Sequence, residues 1–356
     1  MKKIKVGILG ATGYVGQRFV TLLENHPFFD VVLLGASEKS EGKRYGDLMK
    51  NRWKLKENIP EYSKNFVIKN IHNVEEIAKE VDLVFCAVDM KKDELRKLEE
   101  DYAKHEVVVV SNNSAHRWTE DVPVVIPEVN KHHFSILKKQ KERLGTKKGF
   151  IVCKPNCSVQ CYVPLIEALM EYEPEKINVV TYQAISGAGK TFDDFEEIID
   201  NIIPYIGGEE EKSEKEPLKI WGKVENDKIV NNKNITISAQ CIRVPVSEGH
   251  MAAVSVSFKN KPTIEEILNK WENYNNLGYK LPHETDKFIT YKDEENRPQT
   301  KLDRDTENGM GIVAGRLRED ALYDYKFIGL AHNTIRGAAG GAVLTAEVLY
   351  KEGYLE

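Results

Sequence analysis

Short apolar runs and helical patterns alternate along the first half of the chain. The runs lie at 4–9, 31–36, 81–87 and 107–111, and their alternation with helix-length segments predicts a parallel sheet covered by helices. After the first run, Val15, Phe19, Leu22 and Leu23 recur at helical spacing until Pro27 ends the pattern.

The second half has a different rhythm. Residues 235–244 and 250–258 alternate polar and apolar positions and predict antiparallel strands. Two helices are marked around them. One spans 191–203, with Thr191 as N-cap and Phe192, Phe195, Ile199 and Ile202 on its buried face. The other spans 263–271, with a Thr-x-x-Glu capping box and a stripe of Ile264, Ile267, Leu268 and Trp271. The mixed-charge run 207–215 reads as a solvated loop. Near the end, the small-residue segment 331–342 leads into an apolar helix. A helix so rich in Gly and Ala is intrinsically weak, so close packing, against the first half of the chain, must hold it.

Composition narrows the setting. A chain of 356 residues suits two domains. With 51 basic and 56 acidic residues, net charge −5, there is no general electrostatic reason to bind nucleic acid or a membrane surface. No apolar run approaches bilayer length. Met1-Lys2-Lys3-Ile4 runs straight into a strand pattern and leaves no room for a signal peptide. Five cysteines, an odd number without a disulfide-like framework, point to a reducing, cytoplasmic setting with free thiols.

Chemistry enters first at Gly10-Ala11-Thr12-Gly13-Tyr14-Val15-Gly16, between the first strand and the first helix. Glycines there permit a tight turn and bring backbone N–H groups to a pyrophosphate at the helix N-terminus. The spacing is G-x-x-G-x-x-G rather than the commoner G-x-G-x-x-G, so placement carries more weight than the motif. At the end of the second strand Ser37 stands where NAD-preferring sites place an acid. Lys39, Ser40, Lys43 and Arg44 follow, ready for a 2′-phosphate. NADP is the expected cofactor, with Glu38 keeping NAD open.

The cysteines divide by context. Cys86 and Cys241 lie in strand patterns and read as packing. Cys153, Cys157 and Cys161 form a row without zinc-knuckle spacing, interrupted by Pro155, so no metal is expected. Cys157 follows Pro155 and Asn156 and precedes Tyr162, Val163, Leu165, Ile166 and Leu169 at helical spacing. That places its thiol near a helix N-terminus, where dipole and free N–H groups stabilise a thiolate and offer an oxyanion hole. Nucleophile and buried structural thiol both remain open on these features. His250 shares the apolar face of Ala252, Val254, Val256 and Phe258, as a core histidine or a base. Arg243 ends the face of Ile235, Ile237, Ala239 and Cys241 with no acid beside it. A buried guanidinium needs an anion, and a substrate carboxylate would satisfy it.

With these residues in place, the chain resembles the aspartate-semialdehyde dehydrogenase family, in the branch found in archaea and fungi. The markers are the glycine loop at 10–16, Ser111-Asn112-Asn113-Ser114-Ala115-His116-Arg117, Pro155-Asn156-Cys157-Ser158, and Gln183 with Ser186-Gly187-Ala188-Gly189. Glu216-x-x-Lys219, Arg243 through His250, and Asn333-Thr334-x-Arg336-Gly337-Ala338-Ala339 complete them.

The resemblance implies an α/β fold of the glyceraldehyde-phosphate dehydrogenase type. It would join a Rossmann-type NADP-binding domain at 1–155 to an α+β catalytic and dimerisation domain at 156–332. A C-terminal helix at 333–356 would return to the first domain. It implies reduction of aspartyl phosphate to aspartate semialdehyde through a cysteine thioester, in biosynthesis of lysine, threonine, methionine and isoleucine, by a homodimer or homotetramer. Cys157 would be the nucleophile, His250 the acid/base and Gln183 a positioning group. Arg243 would bind the substrate carboxylate, Glu216 its amino group, and Arg117 and Lys219 phosphate, with Asn156 beside them. Thr12, Gly13, Tyr14, Val15, Ser37, Ser186, Gly187, Gly189 and Asn333 would line the NADP site. Two rivals fit parts of the pattern: a malonyl-CoA reductase on the same scaffold, and a non-catalytic NADP-binding sensor with no need of Cys157, His250 and Arg243 together.

Overall fold

The computed structural model describes residues 3–274 and 277–356. Six strands, β1 (Ile4–Leu9), β2 (Phe29–Ala36), β3 (Lys69–Asn70), β4 (Leu83–Cys86), β5 (Val108–Ser111) and β6 (Ile151–Cys153), form the first sheet. Its order is β3-β2-β1-β4-β5-β6, with every pairing parallel. The order reverses between β1 and β4, and a parallel sheet opens a ligand crevice at the carboxyl ends of such strands. The four expected strands are all present. The two additional ones are two and three residues long, too short to carry a period.

Beyond it come β7 (Pro174–Gln183), a hairpin of β8 (Lys223–Glu225) and β9 (Lys228–Val230), then β10 (Thr236–Arg243), β11 (His250–Phe258), β12 (Ile289–Lys292), β13 (Ile312–Glu319) and β14 (Tyr325–Ala331). The second large sheet runs β10-β7-β11-β14-β13-β12. The two strands expected as antiparallel are therefore not neighbours: β7 lies between them, parallel to β10 and antiparallel to β11. One face of this mixed sheet is buried as the alternation requires, through Ile237, Ala239, Cys241, Ala252, Val254 and Val256.

Two other expectations need correction. Residues 191–203 do not form one helix. Thr191 and Asp194 make a capping box, but only short 3-10 turns follow, at Phe192–Asp194 and Glu196–Ile198. Ile203 exchanges both backbone hydrogen bonds with Arg243, at 3.0 and 2.8 Å, which draws the chain out along the edge of β10. Phe192, Ile199 and Ile202 are exposed in consequence, Ile202 at 60%. The run 207–215, in turn, is not a loop but enters the helix Glu209–Ile220. Its acids occupy the first turn, where the helix dipole favours them, and Glu211 pairs with Lys215 at 2.7 Å.

The helix Ile264–Glu272 has its Thr263–Glu266 capping box and buries Ile267 and Trp271, leaving Ile264 exposed. The C-terminal helix Gly340–Lys351, entered through a π-helical turn at Ile335–Ala339, is buried along Val343, Leu344, Val348 and Leu349. It packs in one core with Val6, Ile8, Phe85 and Val110 of the first sheet. A second core runs without a break from Val84 and Val109 through Val159 and Leu165 to Val179, Val254 and Phe327, tying the two sheets together. No helix among the described residues is long and apolar enough to cross a membrane.

Candidate active site

A cleft of about 680 Å³ opens where the two sheets meet. Thr12, Gly13, Tyr14 and Val15, Ala87 to Asp89 and Asn112 to Ser114 wall one side; Asn156, Cys157, Gln183, Ser186 to Gly189, Glu209, Lys212, Arg243 and Asn333 wall the other. Its dinucleotide side is built on two close backbone approaches. Gly10 has φ +85°, and a Cβ on it would lie 2.2 Å from the Ala87 carbonyl oxygen; one on Gly16 would lie 2.1 Å from the Gly10 oxygen. Gly13, N-cap of the first helix, has only an ordinary contact at 3.5 Å. Gly10 and Gly16 therefore serve the turn itself, while Gly13 keeps the helix N-terminus bare for an anion. Ser37 and Lys39 are exposed at the end of β2, and Ser40 is buried beside them; all three lie outside the cleft.

Cys157 lies between β6 and a 3-10 turn, Ser158–Cys161, and the following helix, Val163–Glu167, is five residues long with Pro164 in its first turn. The helix expected through Leu169 is thus present but short, and its dipole is correspondingly weak. The Ser158 N–H is taken by Asn156 Oδ1 at 2.9 Å, so the expected row of free N–H groups is reduced. Charges replace the helix. Burial and the Glu209 carboxylate push the Cys157 thiol up to about 11, while Arg243, Lys154 and Arg117 pull it down. Cys157 is partly exposed to the cleft, whereas Cys86, Cys153, Cys161 and Cys241 are buried.

His250 is fully buried at the start of β11, with Nε2 3.3 Å from the Cys157 Sγ. The Ala184 N–H donates to Nδ1 at 3.0 Å, which fixes the ring proton on Nε2, facing sulfur. Burial, then Arg243, hold the ring's pKa well below the ordinary histidine range. Gly187 lets backbone pass over both groups: a Cβ there would come within 3.0 Å of Arg243 Nη1 and 3.1 Å of His250 Nε2. Arg243 ends β10 facing the cleft, its Nη1 donating to the Ala184 carbonyl at 2.6 Å. Among the described residues no carboxylate hydrogen-bonds to it.

The acids and cations sort differently from their expected roles. Glu216 is 1% exposed and does not line the cleft. It accepts from Arg117 Nη1 at 2.8 Å and from the Asn156 N–H at 2.6 Å. Lys219 is buried behind it, donating to the carbonyls of Arg117 and Thr119 at 2.9 and 2.7 Å, its amine pushed down to about 8 by burial. This pair braces Arg117, which does reach the cleft. Glu209 and Lys212, one helical turn apart and 2.7 Å from each other, do line the cleft. Glu209 also accepts from Asn156 Nδ2 at 3.0 Å and from Gln183 Nε2 at 3.2 Å. Sequence reasoning missed both because it left them in a loop; the same E-x-x-K spacing, seven residues earlier, was the available signal. Asn333 lines the cleft with its amide engaged, accepting from the Gly249 N–H and donating to Ser186 Oγ.

A dinucleotide fold opening onto a cysteine held by a histidine and an inward arginine defines a nucleotide-dependent oxidoreductase working through a thiol. Comparison with known proteins makes the class specific. Residues 5–136 match the semialdehyde dehydrogenase NAD binding domain, and residues 162–336 the semialdehyde dehydrogenase dimerisation domain. The chain is 42% identical to an aspartate-semialdehyde dehydrogenase of Archaeoglobus fulgidus, over 98% of this chain and 99% of that one. It is 40% identical to that of Saccharomyces cerevisiae, over 98% of each. A crystal structure of the Candida albicans aspartate semialdehyde dehydrogenase with NADP superposes with a TM-score of 0.88 at 37% identity, covering 99% of this chain and 100% of that one. The chain belongs to the aspartate-semialdehyde dehydrogenase family.

Proposed function

We propose that the chain is an NADP-dependent, phosphorylating dehydrogenase that reduces L-4-aspartyl phosphate to L-aspartate 4-semialdehyde, and that this step serves amino-acid biosynthesis. The observation that carries the reading is the convergence of Cys157, His250, Arg243 and Glu209 on one cleft beside the glycine turn.

Each side chain has work that its placement suits. Arg243 takes the substrate carboxylate through its free guanidinium edge. Glu209 takes the amino group, in place of the buried Glu216. Arg117, braced by Glu216, and Lys212 take the phosphate, in place of the buried Lys219. Cys157 thiolate attacks the acyl carbon; phosphate leaves toward those cations, and an aspartyl thioester remains on sulfur. The Nε2–H of His250 steadies the thiolate before attack and again when it departs, and Gln183 holds Glu209 in place. NADP, in reduced form, supplies hydride to the thioester carbon when it is bound. Thr12, Gly13, Tyr14, Val15, Ser186, Gly187, Gly189 and Asn333 would hold it, with Ser37, Lys39 and Ser40 toward a 2′-phosphate. The bare helix N-terminus at Gly13 fits such an anion.

The matching dimerisation domain supports a homo-oligomer, dimer or tetramer, and exposed Tyr182, Ile199, Ile202 and Tyr205 offer an apolar face for it. The domain division 1–155, 156–332 and 333–356 follows the two sheets and the returning helix. Five free cysteines support a cytoplasmic setting.

The test is NADPH formation from aspartate semialdehyde, phosphate and NADP. Phosphate-dependent turnover is expected. Inactivity there, with oxidation of malonate semialdehyde in the presence of coenzyme A, would overturn the assignment in favour of the reductase on the same scaffold.

A further inference from the structure

Among the described residues, four cations line the cleft: Lys54, Arg117, Lys212 and Arg243. The reaction proposed above uses three of them, Arg243 for the substrate carboxylate and Arg117 and Lys212 for its phosphate. Lys54 has no part in it.

A hydrogen-bond relay ties Lys54 to the glycine turn. Gln17, on the first helix and 1% exposed, donates to the Thr12 carbonyl at 3.2 Å and accepts the Lys54 N–H at 2.8 Å. The Lys54 backbone is thereby pinned beside the turn, and its side chain crosses to the opposite wall. There Nζ donates to the Gly189 carbonyl at 2.9 Å and to Asp194 Oδ2 at 2.6 Å. Gly189 stands over the start of the first helix: its φ is +67°, and a Cβ on it would lie 3.9 Å from Tyr14 Cβ. The ammonium is thus held on the dinucleotide side of the cleft, close to the bare helix N-terminus at Gly13. That N-terminus suits the cofactor's diphosphate, and a cation beside it adds to the same attraction.

The carboxylate that now holds the ammonium is a weak partner. The side chains of Lys54 and Asp194 are 30% and 42% exposed. Water screens such a pair and ordering it costs entropy, so it shifts an equilibrium by no more than about fivefold. Asp194 also accepts from the Thr191 N–H and hydroxyl, at 3.3 and 3.2 Å. Lys54 can therefore leave it without unseating that turn.

We propose that Lys54 is a cofactor-binding residue whose ammonium pairs with the diphosphate of the dinucleotide in place of Asp194, which competes for it; this rests on the NADP reading above. A merely structural clasp would instead use Lys54 and Asp194 to join the two walls of the cleft, and either half of it would then matter equally.

Calorimetric titration of the full chain with NADP and with NAD separates the two, for wild type, Lys54→Gln, Lys54→Arg and Asp194→Asn. Glutamine keeps an N–H for the Gly189 carbonyl and loses the charge; asparagine keeps an acceptor for Thr191. Losing a hydrogen bond to a charged group weakens binding by roughly tenfold or more. Lys54→Gln should therefore raise Kd about tenfold for both dinucleotides, which share the diphosphate, and Lys54→Arg should restore most of the affinity. Asp194→Asn frees the ammonium, and should bind as tightly as wild type or up to about fivefold tighter. Weaker binding by Asp194→Asn, in step with Lys54→Gln, would show a clasp and overturn the assignment. Unchanged affinity in Lys54→Gln overturns it too, as does a loss confined to NADP, which would put the ammonium at the 2′-phosphate. A wild-type chain that binds neither dinucleotide would instead overturn the NADP reading, and this assignment with it.

Discussion

Replacing Glu216 with glutamine separates a bracing role from a substrate-binding one. In the structure one oxygen of Glu216 lies 2.8 Å from Arg117 Nη1 and the other accepts the Asn156 N–H at 2.6 Å, with the residue 1% exposed. Glutamine keeps the shape but turns one oxygen into an N–H donor. That donor must face either a guanidinium or a backbone N–H, and Arg117 keeps its charge without its ion-pair partner, with only the Asn112 carbonyl left to accept from it. Breaking a buried pair from one side costs about 3–5 kcal/mol, and the orphaned N–H lies within that figure rather than adding to it. Glu216→Gln should therefore lower the urea midpoint markedly. Glu209→Gln, at the cleft wall, should change stability by about 1 kcal/mol, the cost of one ordinary hydrogen bond. It should raise KM for aspartate semialdehyde by about tenfold or more, since a hydrogen bond to a charged group contributes roughly 1.5–3 kcal/mol. Urea unfolding and steady-state kinetics on the three proteins decide it. A Glu216→Gln protein of wild-type stability with a tenfold higher KM, beside a silent Glu209→Gln, would refute the reassignment.

Three further outcomes follow from the geometry. Gly13→Ala should fold and lose NADP affinity, whereas Gly16→Ala, whose Cβ would meet backbone at 2.1 Å, should disrupt the turn itself; calorimetric titration with NADP and circular dichroism tell them apart, and normal NADP binding by Gly16→Ala would contradict the account. Arg243→Lys keeps charge but loses the fork, and should lower kcat/KM for aspartate semialdehyde at least about tenfold with NADP affinity unchanged; equal loss of both would indicate a folding role. Against the cost of burial, hydrogen bonds from His26 and His283 hold the Glu347 carboxyl below its ordinary range. Its contribution is therefore complete above the unfolded value of about 4.3 and is lost as pH falls through the lower folded one. Urea midpoints should fall on acidification through that window more steeply in wild type than in Glu347→Gln, and parallel slopes would count against it.

The first sheet was legible because its strands are buried on both faces and spell continuous apolar runs, and because the glycine turn follows β1 directly. Arg243 and His250 were legible through strand alternation, which needs no knowledge of partners. The failures share one cause. Residues 191–203 carry a helical period and a true capping box, but backbone pairing of Ile203 with Arg243 outweighs that local preference. Residues 207–215 look like solvent-facing charge until Glu209 turns inward to meet Asn156, Gln183 and Lys212, contacts between residues distant in sequence. The assignment of Glu216 rested on its spacing to Lys219, and the same spacing recurs one heptad earlier; only packing distinguishes the two. The glycines near the C-terminus read as weakness in a helix, and their reason, the close approach of Cys157 and Lys154, lies wholly in the tertiary structure.

The proposed reaction passes through an acyl group carried by one sulfur. Incubating the protein with aspartate semialdehyde and NADP but no phosphate, quenching in acid and mapping the peptides by mass spectrometry tests this directly. Cys157 should carry an aspartyl group that phosphate or hydroxylamine removes, and Cys153 and Cys161 should carry none. Phosphate-dependent turnover with Cys157 unmodified at every quench time, or undiminished in Cys157→Ser, would contradict it.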